Sequence, residues 1–279
     1  MSLAKISKKY FGLEDKVIVV TGGSGLMGRK HAEAIMEFGG IPVLLDINDE
    51  EGFKIQESLN EIFLQNCEYI SCNITEHREI QDTKNYLLSK YSRIDGLINN
   101  AAINPKYDSI KGNNESRLEN INVESWNEEI SVGLTGAMLC SKTFGYEMSK
   151  YKGGVIINVS SDLGLIAPNQ NIYKDRNTHD ENQPVKPVSY SVIKHGLIGL
   201  TKYLSTYWND KGVRCNAICP GGIYTGQDKT FVNDLTDLIP MGRMANENEY
   251  KATIIYLLSD ASKYMTGSNL VIDGGRTAW

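Results

Sequence analysis

Ser161, Tyr190 and Lys194 are the residues of this chain whose types and spacing could move a proton. Tyr190 and Lys194 stand four apart in PVSYSVIKHGLIGLTKYL, so on a helix they share one face, about a turn from each other. A free phenol titrates near pH ~10, too high for efficient proton exchange at neutral pH. An ammonium held nearby favours the phenolate. At ~4 Å and an effective dielectric of ~20 the attraction is about 4 kcal/mol before desolvation is subtracted. A lowering of about one to three pKa units is therefore expected for Tyr190, at about 1.4 kcal/mol per unit. Ser161 closes the run IINVSS and adds a hydroxyl able to hold a substrate oxygen. Alone, Y-x-x-x-K is a short pattern that any amphipathic helix can contain.

The elements that must position these groups give the pattern its weight. KVIVV (16–20) is a short apolar, β-branched run that reads as a buried parallel strand. TGGSGLMG follows at once, then RKHAEAIMEFGG, a helix closed by glycines. Strand, glycine loop and helix in this order form a dinucleotide-binding entry, where glycines let the backbone approach a pyrophosphate at the helix N-terminus. A second apolar strand, IPVLLD, ends in Asp46, 18 residues beyond Gly28, where an acid accepts a hydrogen bond from an adenosine ribose 2′-OH. That carboxylate repels a 2′-phosphate. No arginine follows it, only Ile47, Asn48 and Asp49, so NAD is expected over NADP.

With these residues in place the chain resembles the short-chain dehydrogenase/reductase family over nearly its whole length. The glycine pattern T-G-x-x-x-G-x-G is matched at Thr21, Gly22 and Gly28, INNAA (98–102) resembles the N-N-A-G strand end, and IINVSS delivers Ser161. YSVIK supplies Tyr190 and Lys194, CPGGIYT (219–225) resembles the segment beside the nicotinamide, and GSNLVIDGG resembles the last strand and its turn. The resemblance implies a catalytic triad of Ser161, Tyr190 and Lys194. It implies a cofactor site formed by Gly22, Ser24, Gly25, Leu26, Met27, Asp46, Ile47, Asn73, Ile74, Asn100, Ala101, Ala102, Pro220, Gly221, Ile223 and Thr225, with Tyr190 and Lys194. LGLIAPNQNIY and KPVSYSVIKHGLIGLTKYLSTYW are similar to a subgroup found among bacterial glycan and flagellin-modification oxidoreductases. Two positions depart from the family. Leu26 replaces the middle glycine, for which a main-chain N–H of Gly25 or Ser24 is expected to compensate. In WNEEISVGLTG, Gly133 stands where the family has a catalytic-tetrad asparagine that stabilises a helix kink.

The alternation of strand and helix predicts an α/β fold: one Rossmann-type, doubly wound domain over 1–279 with a parallel seven-stranded sheet flanked by helices. Strands are expected at 16–21, 41–46, 67–72, 95–99, 154–160, 213–218 and 269–272. Helices are expected near 26–38, 49–64, 76–91, 124–150, 188–210 and 246–259, with a short one at 234–243 ending near Pro240. Loops 103–123 and 163–187 break the rhythm. The second separates Ser161 from Tyr190 by 29 positions, where the family has about a dozen. Both leave the sheet edge where open α/β sheets bind ligands, so they are expected to wall the substrate site. They carry Asn104, Lys106, Lys174, Arg176, Asn177 and His179 and few large apolar side chains, which suits a polyhydroxylated or anionic substrate.

At 279 residues the chain is long enough for one α/β unit with a large core. A net charge of −5 gives no reason to expect nucleic acid or an anionic membrane as partner. No run approaches the ~20 apolar residues of a membrane span, and the N-terminus shows no secretory h-region. Five cysteines in no paired or ligand spacing suit a reducing cytoplasm, with no metal site and His195 as a packing or surface residue. The combined reading is hydride transfer between a nicotinamide cofactor and a hydroxyl/carbonyl pair on a polar or sugar-like small molecule, in a homotetramer or homodimer. The rivals are a non-catalytic dinucleotide sensor or scaffold on the same fold, and an epimerase or dehydratase, for which the chain has little room.

Overall fold

The structure, a computed structural model, describes residues 9–103, 116–174 and 183–279. Seven strands form one sheet: β1 (Val17–Thr21), β2 (Ile41–Asp46), β3 (Glu68–Ser71), β4 (Gly96–Asn99), β5 (Gly154–Val159), β6 (Val213–Pro220) and β7 (Asn269–Ile272). Their spatial order is β3-β2-β1-β4-β5-β6-β7, and every pairing is parallel. The order reverses between β1 and β4, which opens a crevice at their C-terminal ends. The strands read as unbroken apolar runs because both faces are covered: Ile18, Val20, Leu44 and Ile157 enter one core, Val17, Val19, Val43 and Ile156 the other.

The covering helices are α1 (Leu26–Glu37), α2 (Asp49–Phe63), α3 (His77–Tyr91), α4 (Val123–Ile130), α5 (Ala137–Lys150), α6 (Val188–Tyr207), α7 (Lys229–Thr236) and α8 (Lys251–Leu258). The expected helix at 124–150 is three pieces, α4 and α5 joined by a π-helical turn, Ser131–Gly136. The short helix expected at 234–243 lies earlier, as α7. The Asp228 carboxylate accepts from the Thr230 and Phe231 N–H groups at 2.8 and 3.3 Å and starts it there. The helix expected from 246 begins only at Lys251. Glu249 turns back to accept from the Asn246 N–H at 2.7 Å and pairs with Arg243, so the intervening residues form a turn. The last expected long helix stops at Tyr207, short of 210, in a 3₁₀ turn, Asn209–Lys211.

Of the loop residues singled out above, Asn104, Lys106, Arg176, Asn177 and His179 lie outside the described residues. The described part of 163–187 is not the open polar loop that composition suggests. Its 3₁₀ turn Gln170–Tyr173 buries Ile172 with Leu235, Ile239 and Met244, and Tyr173 packs on Phe231 with ring centroids 5.6 Å apart. Val185 N–H donates to Ser116 Oγ at 3.1 Å, joining the ends of the two loops.

Candidate active site

The strand that carries Ser161 and the helix that carries Tyr190 are tied together by buried polar groups. Asn99 Nδ2 donates to Asn158 Oδ1, and Asn158 Nδ2 donates to Thr201 Oγ1, each at 2.8 Å, linking β4, β5 and α6. Ser160 Oγ donates to the Lys194 carbonyl at 2.7 Å. Lys194 Nζ donates to the Val159 carbonyl at 2.8 Å, one residue before that serine. The Ser161 hydroxyl lies close enough to the Tyr190 phenol to favour its ionised form, and the Lys194 ammonium stands 5.6 Å from the ring centroid. The three residues expected to act together therefore meet at the end of β5.

The electrostatics differ from the sequence expectation. The Tyr190 phenol lies above its ordinary value: burial dominates, the neighbouring Ser161 hydroxyl lowers it, Asp162 raises it and Arg276 lowers it. The Lys194 ammonium is directed at the Val159 carbonyl. Burial brings it down to about 8.

Three residues the spacing did not single out complete the site. Asp162 Oδ1 accepts from Ser161 Oγ at 2.7 Å, and its Oδ2 accepts from Arg276 Nη1 at 2.7 Å. Both members of this ion pair are buried, although 114 positions separate them in sequence. Asp273 aims the arginine by accepting from the Gly275 and Thr277 N–H groups, each at 2.8 Å. The third is Lys186, whose ammonium lies 3.7 Å from the Tyr190 ring centroid. Adjacency to Ser161 marks Asp162 in the sequence. Nothing in the spacing marks Arg276, and Lys186 precedes the helix, so helical registry does not relate it to Tyr190.

The glycine loop and the ends of β2 and β4 form a cleft of about 340 Å³, lined by Gly22, Asp46, Ile47, Asn73, Ile74, Ala101 and Ala102 among others. Asn100 Nδ2 donates to the Thr21 and Gly22 carbonyls at 3.0 and 3.1 Å, so it shapes the loop from behind. Gly22 adopts φ +66°, and a Cβ at Gly28 would lie 2.2 Å from the Gly22 carbonyl oxygen, so α1 approaches β1 only without a side chain there. Compensation for Leu26 by Ser24 or Gly25 is not what the structure has: Ser24 N–H donates to Asp46 Oδ2 at 3.0 Å and Gly25 N–H to the Gly22 carbonyl at 3.2 Å. Instead α1 starts with no side-chain cap, which leaves the first-turn N–H groups at Leu26 and Met27 for an anion. A dinucleotide pyrophosphate fits this cradle. Pro220 ends β6, Ile223 bridges Ala245, and Thr225 N–H donates to Gln227 Oε1 at 2.8 Å; none of these three lines the cleft.

Residues 16–174 match the family model for short chain dehydrogenase, and 179–277 match one described as Enoyl-(Acyl carrier protein) reductase. The chain belongs to the short-chain dehydrogenase/reductase family. It is a nicotinamide-dependent oxidoreductase acting on a hydroxyl/carbonyl substrate. An NADP-dependent mannitol dehydrogenase of Alternaria alternata is 31% identical over 96% of this chain and 94% of its own length. An NAD-dependent glycerol dehydrogenase of Listeria innocua is 29% identical over 96% of each. The post-translational flagellin modification protein A of Campylobacter coli is 28% identical over 94% of this chain and 98% of its own, in keeping with the subgroup resemblance. In structure the chain is similar to a gluconate 5-dehydrogenase from Burkholderia cenocepacia J2315, with TM-score 0.84 and 22% identity over 98% and 99% of the two chains.

Against that family background the Gly133 departure acquires a physical reading. The kink is present as the π-helical turn although the asparagine is not. A Cβ at Gly133 would lie 2.8 Å from Ile193 Cγ2, so an apolar side chain of α6 occupies the space a tetrad side chain needs. Among the described residues no group of His, Cys, Asp or Glu could hold a metal, and all five cysteines are buried and free. No helix among them is long and apolar enough to cross a membrane.

Proposed function

We propose that this protein oxidises or reduces a polyhydroxylated small molecule with Tyr190 as acid/base, Ser161 as the group holding the reacting oxygen, and Lys194 as positioning cation. The observation that carries the reading is the meeting of Ser161, Tyr190 and Lys194, held by the bonds between β5 and α6, beside a cleft lined by the glycine loop and Asp46. A bound nicotinamide dinucleotide supplies the acceptor or donor of the hydride. In oxidation Tyr190, as phenolate, takes the hydroxyl proton, and Ser161 stays within hydrogen-bond reach of the oxygen as charge develops. Lys194 would hold the nicotinamide ribose, and Asp46 with Ile47 the adenosine end. The mannitol and glycerol dehydrogenases among the relatives support a polyol or sugar-like substrate, as do the polar side chains of Arg117, Gln170, Lys174 and Gln183 around a second cavity of about 330 Å³. Turnover of oxidised cofactor with a panel of sugar alcohols, aldonates and a steroid tests this. Activity confined to the steroid would overturn it.

The cofactor is proposed to be NAD. Asp46 already accepts from the Ile47 and Asn48 N–H groups at 2.8 and 3.1 Å and from Ser24, which holds its carboxylate at the cleft with a lone pair to spare for a ribose hydroxyl. Asp46→Ala is expected to weaken NAD about tenfold and to narrow the preference over NADP, as measured by fluorescence titration at fixed ionic strength. Tighter NADP than NAD binding in the unaltered protein sinks the assignment.

A cytoplasmic homotetramer or homodimer is proposed as the working form. On α6 Tyr203 and Tyr207 stack outward with centroids 5.5 Å apart, a Cβ at Gly199 meets nothing within 4 Å, and Met138 and Tyr146 of α5 are also exposed. Aromatic side chains beside an open glycine groove suit a second copy of these helices. Light scattering at micromolar concentration is expected to give a multiple of 31.1 kDa, and a stable monomer counts against the assembly.

A further inference from the structure

We propose that Lys186 anchors an anionic group of the substrate, so that the molecule turned over is a hydroxy acid whose carboxylate lies within a few carbons of the reacting hydroxyl. The inference rests on the reading of Tyr190 as acid/base and names the substrate class of that site. The Lys186 ammonium lies 3.7 Å from the centroid of the Tyr190 ring. One ring thus carries the cation against it and the reacting phenol oxygen at its edge, which keeps acid group and hydroxyl close together in the substrate. Of the other cations near the phenol, Lys194 is directed at the Val159 carbonyl and Arg276 is paired with Asp162. Among the described residues around the phenol, Lys186 is the cation left to meet a charge brought by a ligand.

The placement of Lys186 is fixed by its own segment. Pro187, the residue before α6, restricts it to an extended backbone. Gln170 clamps that backbone from across the loop: Lys186 N–H donates to Gln170 Oε1 at 2.8 Å and Gln170 Nε2 donates to the Lys186 carbonyl at 3.3 Å. The residue is half-buried, and among the described residues no carboxylate pairs with its ammonium. Asp162 and Glu129 act on it only from a distance, and each has a partner of its own, Arg276 and the Ser189 hydroxyl. Burial brings Lys186 down to about 8, so it is charged at neutral pH. A cation drawn out of water with a ring face as its only close compensation gains more from an incoming anion than a solvated surface lysine does. A lone ammonium is a point charge without the fork of a guanidinium, so one carboxylate satisfies it, whereas a phosphate dianion draws several cations. Val185, next to it in the chain, and Gln170 also border the cavity of about 330 Å³ that Lys174 and Gln183 line. An acid held at Lys186 can therefore extend its hydroxyls toward polar side chains.

The test compares each aldonate with its alditol, gluconate with glucitol and threonate with threitol, in the unaltered protein, in Lys186→Met and in Lys186→Arg. The unaltered protein is expected to prefer the acid of each pair by about tenfold or more in kcat/KM. In Lys186→Met that preference is expected to fall by about ten- to a hundredfold, the range of a hydrogen bond to a charged group, chiefly through a higher KM for the acid. Lys186→Arg keeps a cation and is expected to retain most of the preference. A preference for the alditols in the unaltered protein overturns the proposal. So does an acid-to-alditol ratio unmoved in Lys186→Met, which makes Lys186 structural, since a disturbed fold lowers both rates together. Selective turnover of sugar phosphates that Lys186→Met abolishes overturns the carboxylate assignment. Should none of these compounds be turned over by the unaltered protein, the functional reading fails on its own account. Calorimetric titration of gluconate and threonate into the protein with NADH present then still decides the anchor. Affinity weaker by about tenfold or more in Lys186→Met upholds it, and equal affinity in the two proteins, or no binding of either acid to the unaltered one, overturns it.

Discussion

Tyr190→Phe is expected to lower turnover by ~10²–10⁴-fold while leaving NADH affinity within about twofold of the unaltered protein. The substitution removes one oxygen and keeps the ring on which Lys186 rests, so the walls of the site stay in place. What disappears is the exchangeable proton of the phenol. Rate and dissociation constant must be measured separately, because a loss of both indicates collapse of the site and not loss of chemistry. A mutant that retains more than about a tenth of the rate removes Tyr190 from the role of acid/base.

Arg276→Met is expected to destabilise the fold by about 3–5 kcal/mol, because it strands a buried carboxylate. Arg276 and Asp162 are 6% and 3% exposed, so neither is relieved by water when its partner is lost. The same change should impair catalysis in the fraction that folds, since the carboxylate freed from Arg276 is the one that accepts from Ser161 Oγ. Urea denaturation of the single mutants and of Asp162→Asn/Arg276→Met separates the effects. The double mutant, with no unpaired charge, is expected to recover more than half of the loss. A single mutant within about 1 kcal/mol of the unaltered protein means that water reaches the pair.

The strands were legible because each is buried on both faces and reads as an unbroken apolar run; the observed β1, β2 and β7 agree with expectation to within a residue at each end. The helices were legible where an apolar stripe decides them, as in α1 to α3, and less so where local capping does. Asp228 and Glu249 shift the starts of α7 and α8 through local hydrogen bonds that hydrophobic spacing does not register.

The sequence by itself determined the fold class, the glycine cradle and the residues that meet at the end of β5, because each follows from local pattern: a strand, a turn chemistry, a four-residue helical spacing. It also pointed to the acid at the end of β2, since that position follows from chain order. Only the tertiary structure decided the charge balance around Tyr190. Burial, which raises the phenol and lowers Lys194, depends on what packs over them and not on their spacing. The same holds for the partners brought in from afar: Arg276 reaches Asp162 across 114 positions, and Lys186 reaches the ring from an extended segment clamped by Gln170. The vacancy at Gly133 is likewise a fact of packing. Ile193 fills the space from a helix 60 positions away, and no property of the glycine alone foretells it. Coulomb and desolvation energies depend on distances in space, and a linear spacing carries those only within a single element.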